Sequence, residues 1–199
     1  MKVPLLAVDL GGILLTDPTL GKFWTTIARG NARVEGAMRH AWFTDLRFSL
    51  ENGDLDESEV WNRLSKIADL RPDVVRAAFL SGFSELPAGV AGVRACLARN
   101  IGVVLATNHY APWLEIWEGE FDWFGELSGY YCSSEMRSRK PDVAYFEELK
   151  KPFPDSSIIF VDDDPKNVEA AIGAGIISIR GDSTGRWLAE AFEMWGIEA

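Results

Sequence analysis

Cysteine and histidine are scarce, with two residues of each in a chain of 199. Cys96 and Cys132 stand far apart, with neither a C-x-x-C spacing nor companion histidines. The sequence therefore offers no zinc site and no disulfide framework, and reduced thiols in a cytoplasmic protein are expected. No apolar run approaches the ~18 residues that a membrane span needs. The run 3–15 has the look of a signal-peptide core, but Asp9 interrupts it and no small-residue cleavage site follows. Basic residues are also in short supply: 20 Lys and Arg against 30 Asp and Glu give a formal charge of -10. Such a field repels nucleic-acid phosphates and anionic membranes, so neither is an expected partner. An anionic substrate meets the same field. A phosphate site in this chain therefore requires local positive charge or a bound cation.

What is present is ordinary for a folded, enzyme-sized body: 47% hydrophobic and 25% charged residues, with no repeat, charge block or low-complexity linker. The length suits one domain with an insert, as a monomer or homodimer. Short apolar segments at 3–8, 102–106, 157–161 and 176–179, with a weaker one at 129–133, read as strands buried on both faces. Helical stretches at 87–100, 111–117, 141–150, 165–174 and 184–195 fall between and after them. Strands alternating with helices of crossover length predict an α/β fold with a doubly wound parallel sheet. Ligands of such sheets gather at the carboxyl ends of the strands.

The segment 16–85 breaks this rhythm and reads as successive amphipathic helices without a strand. Asp56 and Glu59 have capping-box spacing, and Val60, Trp61, Leu64 and Ile67 form the apolar stripe of the helix they open. Pro72 starts another helix that ends near Gly82. The division expected is a core of 1–15 with 86–199 and a small α-helical cap of 16–85 inserted after the first strand.

Four strand ends carry polar motifs. The first is Asp9, followed by Leu10-Gly11-Gly12, where the glycines let backbone approach an anion or metal. Seen alone, Asp9 is equally a turn residue. The second is Thr107-Asn108, a donor set beside the N–H groups of a helix start, which is also an ordinary N-cap pattern. The third is Arg137-Ser138-Arg139-Lys140-Pro141. Here Pro141 is expected to begin a helix and fix Lys140 before it, while a solvated loop accounts for the arginines. The fourth is Asp162-Asp163-Asp164-Pro165 with Asn167. Adjacent carboxylates repel, and a hard oxygen-ligated cation such as magnesium relieves that repulsion, although Asp164 also fits a helix cap.

Asp, then Thr-Asn, then Lys-Pro, then Asp-Asp with a following Asn, each at its own strand end, resembles the haloacid dehalogenase (HAD) superfamily over essentially the whole chain. The Asp9–Gly12 motif and the Gly53-Asp54-Leu55 turn look most similar to its bacterial sugar-phosphate phosphatase branch, which includes alpha-glucose-1-phosphatase. The resemblance implies a Rossmann-like sheet of order 5-4-1-2-3 under a helical cap. It also implies a Mg2+-dependent phosphohydrolase acting on a small phosphomonoester, such as a sugar phosphate, through an aspartyl-phosphate on Asp9. Magnesium would fall to Asp9, the Gly11 carbonyl and Asp163, with Asp162 and Asn167 in or just behind the first shell. Thr107 and Lys140 would hold phosphate oxygens, and Asn108 would help through its backbone.

One position departs from the family. Most of its phosphatases carry a second aspartate two residues after the nucleophile, and here that position is Gly11. A positioned acid contributes ~10²- to 10⁴-fold to rate, so either the leaving group is good or the proton has another source. His109 is the candidate donor in the core, with His40 in the insert; for both, a packed or solvent-facing role is the alternative. Phe23, Trp24, Trp42 and Phe43 could line a substrate pocket or pack helices, and Trp113 and Trp117 read as core. Two rival readings remain. A 2-haloacid dehalogenase has no need of the acid, but dehalogenases lack the Asp162-Asp163 pair. A catalytically weak binding protein would keep the fold without turnover. A receiver domain is excluded by motif order and chain length.

Overall fold

The computed structural model describes residues 2–198. Five parallel strands make one sheet in the order β3-β2-β1-β4-β5: β1 (Val3–Val8), β2 (Gly102–Thr107), β3 (Gly129–Cys132), β4 (Ser156–Asp162) and β5 (Ile177–Arg180). Read from the β5 edge this is the expected 5-4-1-2-3. β1 is central, with Val8 paired to Leu105 on one side and to Val161 on the other. Its side chains alternate between two cores, the period of two that an extended chain imposes. Leu6 and Val8 face one core with Leu105 and Val161, whereas Leu5 and Ala7 face the other with Ala106 and Phe160.

Helices cover both faces. The segment after β1 holds α1 (Phe23–Ile27), α2 (Ala32–Ala41), a π-helical turn at Trp42–Leu46, α3 (Arg47–Glu51), α4 (Glu57–Ala68) and α5 (Pro72–Leu80). α6 (Pro87–Leu97) and α7 (Ala111–Glu120) follow around β2, and a short α8 (Ser133–Met136) follows β3. α9 (Val143–Lys150), α10 (Pro165–Gly173) and α11 (Trp187–Trp195) complete the chain. Tyr145, Phe146 and Leu149 of α9 are fully buried against Phe160 of β4, each such side chain contributing about 1.5–3 kcal/mol.

The helical insert leaves and rejoins the sheet through one narrow neck. Thr16 donates its backbone N–H to Ser84, Leu86 donates to Leu14, and the Thr16 and Ser84 hydroxyls lie 3.1 Å apart. A carboxylate fastens the insert further along: Glu57 accepts hydrogen bonds from Trp61 and Arg76 within the insert and from Trp113 of α7, at 2.8 to 3.1 Å. Burial acts to raise its pKa, but those donors outweigh it and hold the carboxyl below its ordinary value.

Three local expectations need correction. Asp56 does cap α4 through Ser58, but Glu59 completes no capping box, because its carboxylate is drawn to Arg63 one turn on, at 2.8 Å. Pro141 does not begin α9: the Lys140–Pro141 peptide is cis, Asp142 closes a turn onto the Arg139 carbonyl and is itself the N-cap, and the helix starts at Val143. The C-terminal helix starts at Trp187 rather than 184, because the Asp182 carboxylate binds Thr184 through N–H and hydroxyl and holds that stretch as a turn.

Candidate active site

The carboxyl ends of β1, β2 and β4 open into a cavity of about 810 Å3, roofed by the helical insert. Asp9, Gly11, Thr107 and Asn108 line it from the sheet side. His109, Lys140, Asp163 and Asn167 line it as well, so residues spread over nearly 160 positions of sequence converge here. Asp162 lies behind them, fully buried.

Lys140 organises the floor. Its side chain is 1% exposed, and Nζ donates to Asp162 Oδ2 at 2.5 Å and to the Ala106 carbonyl at 2.7 Å and forms an ion pair with Asp9 Oδ1 at 2.9 Å. The ammonium is thereby enclosed by three oxygens. An anion entering the site would have to exchange with one of these acceptors. Burial works against the ammonium, but Asp9 and Asp162 together raise its pKa, so it stays charged.

The loop carrying Lys140 is held by Asn108. Its side-chain amide donates to the Lys140 carbonyl at 2.8 Å and accepts from the Lys140 N–H at 2.9 Å. The side chain thus positions a neighbour rather than facing a ligand. The N–H groups of the adjoining helix start are taken too: His109 donates to Ser133 Oγ, Tyr110 to the His109 ring and Ala111 to Ser134 Oγ. The expectation that this helix start presents free donors is therefore corrected. We expect Asn108→Ala to lower unfolding free energy by about 1–3 kcal/mol in urea titrations, the cost of leaving two Lys140 backbone groups unpaired. An unchanged midpoint would count against the clamp.

Asp162 accepts from Lys140, from Asn167 Nδ2 at 3.0 Å to each oxygen, and from the Asp164 N–H at 2.9 Å. Its lone pairs are committed, which sets it behind the cavity surface. Asp163 stays exposed, and Asp164 is the N-cap of α10 through Lys166 N–H. Gly12 has φ of 75°, and a Cβ there would collide with the Asp163 carboxylate, so only glycine lets these loops meet. Gly11 is different: a Cβ would meet nothing within 4 Å.

Carboxylate oxygens of Asp9, Asp162 and Asp163 lie within 4.8 Å of one another. Burial, followed by Asp162 and Asp163 against the opposing pull of Lys140, pushes the Asp9 carboxyl up to about 7. Asp163 is raised as well, by the partial desolvation of its carboxylate at the cavity rim and by Asp162. One ammonium does not balance this charge. A hard divalent cation with oxygen ligands would, so the donor set fits one.

The surroundings of His109 are aromatic. Its ring is wedged among Phe83, Trp113 and Trp117, with Trp117 4.8 Å away, and burial, helped by Arg47, lowers its pKa to about 3. At neutral pH it carries no acidic proton. His40 is exposed at the end of α2. Of the insert aromatics, Trp42 and Phe43 line the cavity, whereas Phe23 and Trp24 pack in the core. Trp117 is core as expected, and Trp113 serves both core and cavity wall. Sequence reasoning missed Phe48, Phe79 and Phe83 in that wall, and with them Arg47 and Glu51. The only linear sign of the last two was their i,i+4 spacing.

The sequence matches no known family model. It is 25% identical over 178 residues to a chloroplast flavin mononucleotide hydrolase of Arabidopsis thaliana, covering 88% of this chain and 71% of that protein. Among solved structures, the HAD family enzyme bt-2542 of Bacteroides thetaiotaomicron superposes with a TM-score of 0.70 at 18% identity, over 96% of this chain and 99% of that one. The same enzyme has been determined in complex with magnesium and inorganic phosphate. L-2-haloacid dehalogenase of Xanthobacter autotrophicus matches with a TM-score of 0.65 at 13% identity, over 88% of this chain and 76% of that one.

Proposed function

We propose that this chain, which has the fold of the HAD superfamily, is a magnesium-dependent phosphohydrolase of small phosphomonoesters, with Asp9 as nucleophile and the 16–85 helices as its cap. The observation that carries the reading is the cluster of Asp9, Asp162 and Asp163 around a single buried lysine on the floor of a roofed cavity. In this reading Asp9, Asp163 and the Gly11 carbonyl hold Mg2+, with Asp162 and Asn167 fixing the arrangement from behind. The bound cation supplies charge that offsets the repulsion between a carboxylate and a phosphate dianion, about 4 kcal/mol per charge pair at 4 Å for an effective dielectric near 20.

An Asp9 oxygen attacks phosphorus as the bond to the leaving oxygen breaks, giving an aspartyl-phosphate; water then cleaves it, returning the carboxylate and inorganic phosphate. Lys140 holds Asp9 in line, and Thr107, at the buried end of β2, takes a phosphate oxygen. With Gly11 at the acid position and His109 neutral, the departing oxygen draws its proton from solvent. Good leaving groups are favoured accordingly. The aromatic cavity wall suits a flat leaving group, and the flavin mononucleotide hydrolase likeness agrees with it. Sugar phosphates remain the alternative read from the sequence.

The test is a panel of aryl phosphate, flavin mononucleotide, sugar phosphates and 2-haloacids, each with Mg2+ and with chelator. We expect phosphate release from the aryl ester that stops on chelation. Halide release indifferent to metal would replace this reading with the dehalogenase one, and silence across the panel would favour a binding protein.

A further inference from the structure

Above the carboxylates, the roof of the cavity carries charge of the opposite sign. Arg47 of α3 donates Nε to Glu51 Oε1 at 2.6 Å, and Arg139, on the loop before Lys140, donates Nη2 to Glu51 Oε2 at 2.8 Å. One carboxylate thus serves two guanidiniums, from the insert and from the core, and the triad keeps one uncompensated positive charge. Two of its members are sheltered, the Glu51 side chain being 8% exposed and that of Arg139 17%, while the Arg47 side chain, 37% exposed, reaches the open part of the cavity.

Donors are left over. Arg139 Nε is buried with no acceptor, and among the described residues neither Nη of Arg47 has one. Arg139 also lies over the Phe48 ring, its Cζ 4.3 Å from the centroid, which keeps water from one face of the guanidinium. Burial disfavours the Arg47 charge, but Glu51, Asp17 and Asp9 together raise its pKa, so the cation persists and lies within Coulombic reach of Asp9. Asp17 forms no ion pair with either arginine among the described residues; its Oδ1 accepts from the Thr19 N–H and hydroxyl, both at 2.7 Å. Both arginines face a cavity far larger than a phosphate group fills.

We propose that Arg47 and Arg139, aligned on Glu51, form a second anion subsite that selects phosphomonoesters whose leaving group carries a negative charge, a carboxylate in the simplest case. Forked guanidinium donors match a carboxylate geometrically, and their attraction to it is strengthened where water is excluded. The proposal rests on the phosphohydrolase reading and adds to it the chemical class of the leaving group.

The test is a series of ω-(4-phosphooxyphenyl) alkanoic acids of increasing chain length, each against its own neutral amide, with phenyl phosphate as a reference and Mg2+ throughout. At the best length we expect kcat/KM for the acid to exceed that for the amide by roughly tenfold to a hundredfold, the range for hydrogen bonds to charged groups. Arg47→Gln and Arg139→Gln should each move that ratio toward one, and Arg47→Lys should keep part of it. Thermal melts establish that each variant is folded, and the ratio is internal to each protein, so a general loss of activity leaves it readable. A ratio near one at every length in the wild type, or a ratio untouched in both Gln variants, overturns the subsite while phenyl phosphate hydrolysis upholds the phosphohydrolase. Absence of hydrolysis of every ester overturns both.

Discussion

Asp9→Asn will abolish turnover and, without divalent cations at pH 8, melt at a higher temperature than the wild type. Loss of the nucleophile should cost roughly 10⁴-fold or more in rate. The stability gain follows from the carboxylate cluster. Asp9 moves from 3.8 to about 7 in the folded protein. A folded-state pKa above the unfolded one contributes stability that is complete below pH 3.8 and is lost as pH rises through about 7. Above pH 7 the ionised wild-type cluster is therefore strained by something of the order of 4 kcal/mol, at ~1.4 kcal/mol per pKa unit. The neutral amide escapes this and still accepts from Lys140. The gap between variant and wild type should widen from pH 4 to pH 8 and narrow when Mg2+ is added. A variant that melts lower at pH 8, or a gap indifferent to Mg2+, would count against the charge balance assigned to the cluster.

Lys140→Met should do the opposite. Removing the cation leaves Asp9 and the fully buried Asp162 facing each other without a partner. Breaking a buried pair from one side costs about 3–5 kcal/mol, or roughly 6–20 °C in Tm for a chain of this size. The deficit should grow with pH, since the carboxylates relieve their repulsion only by taking up protons. Rate should fall by roughly 10³-fold as Asp9 loses its alignment. Thermal melts of the two variants across pH form a single experiment, because one removes an anion and the other a cation from the same cluster. Shifts of the same sign would refute the account of both.

The strands were legible because a parallel sheet covered on both faces requires short, continuous apolar runs, and the polar residue ending each run fell at the rim where ligands collect. Asp9 and Thr107 stood at such ends, but they, Lys140 and Asp163 could be singled out only through the conjunction of all four motifs and the family resemblance it carries. Asn108 and His109 were visible as polar residues in the right place, but their roles depend on partners 24 to 32 positions away, Ser133 and Lys140, and no local pattern encodes such pairing. The helix beginning after Pro141 was misplaced by two residues because proline is as well suited to a turn as to a first helical position. The cavity roof was the least legible part. Arg47, Glu51 and Phe48 sit on one short helix whose stripe reads equally as a solvated face, and only tertiary packing turns it inward.

The open space beside Gly11 has a genetic meaning. Every glycine codon lies one base change from a codon for aspartate or glutamate, and a Cβ at this position would meet nothing within 4 Å. The missing acid is therefore not a limit of the scaffold: a single mutation can place a carboxyl group there. In the phosphohydrolase reading, the glycine marks a choice that one base change can reverse.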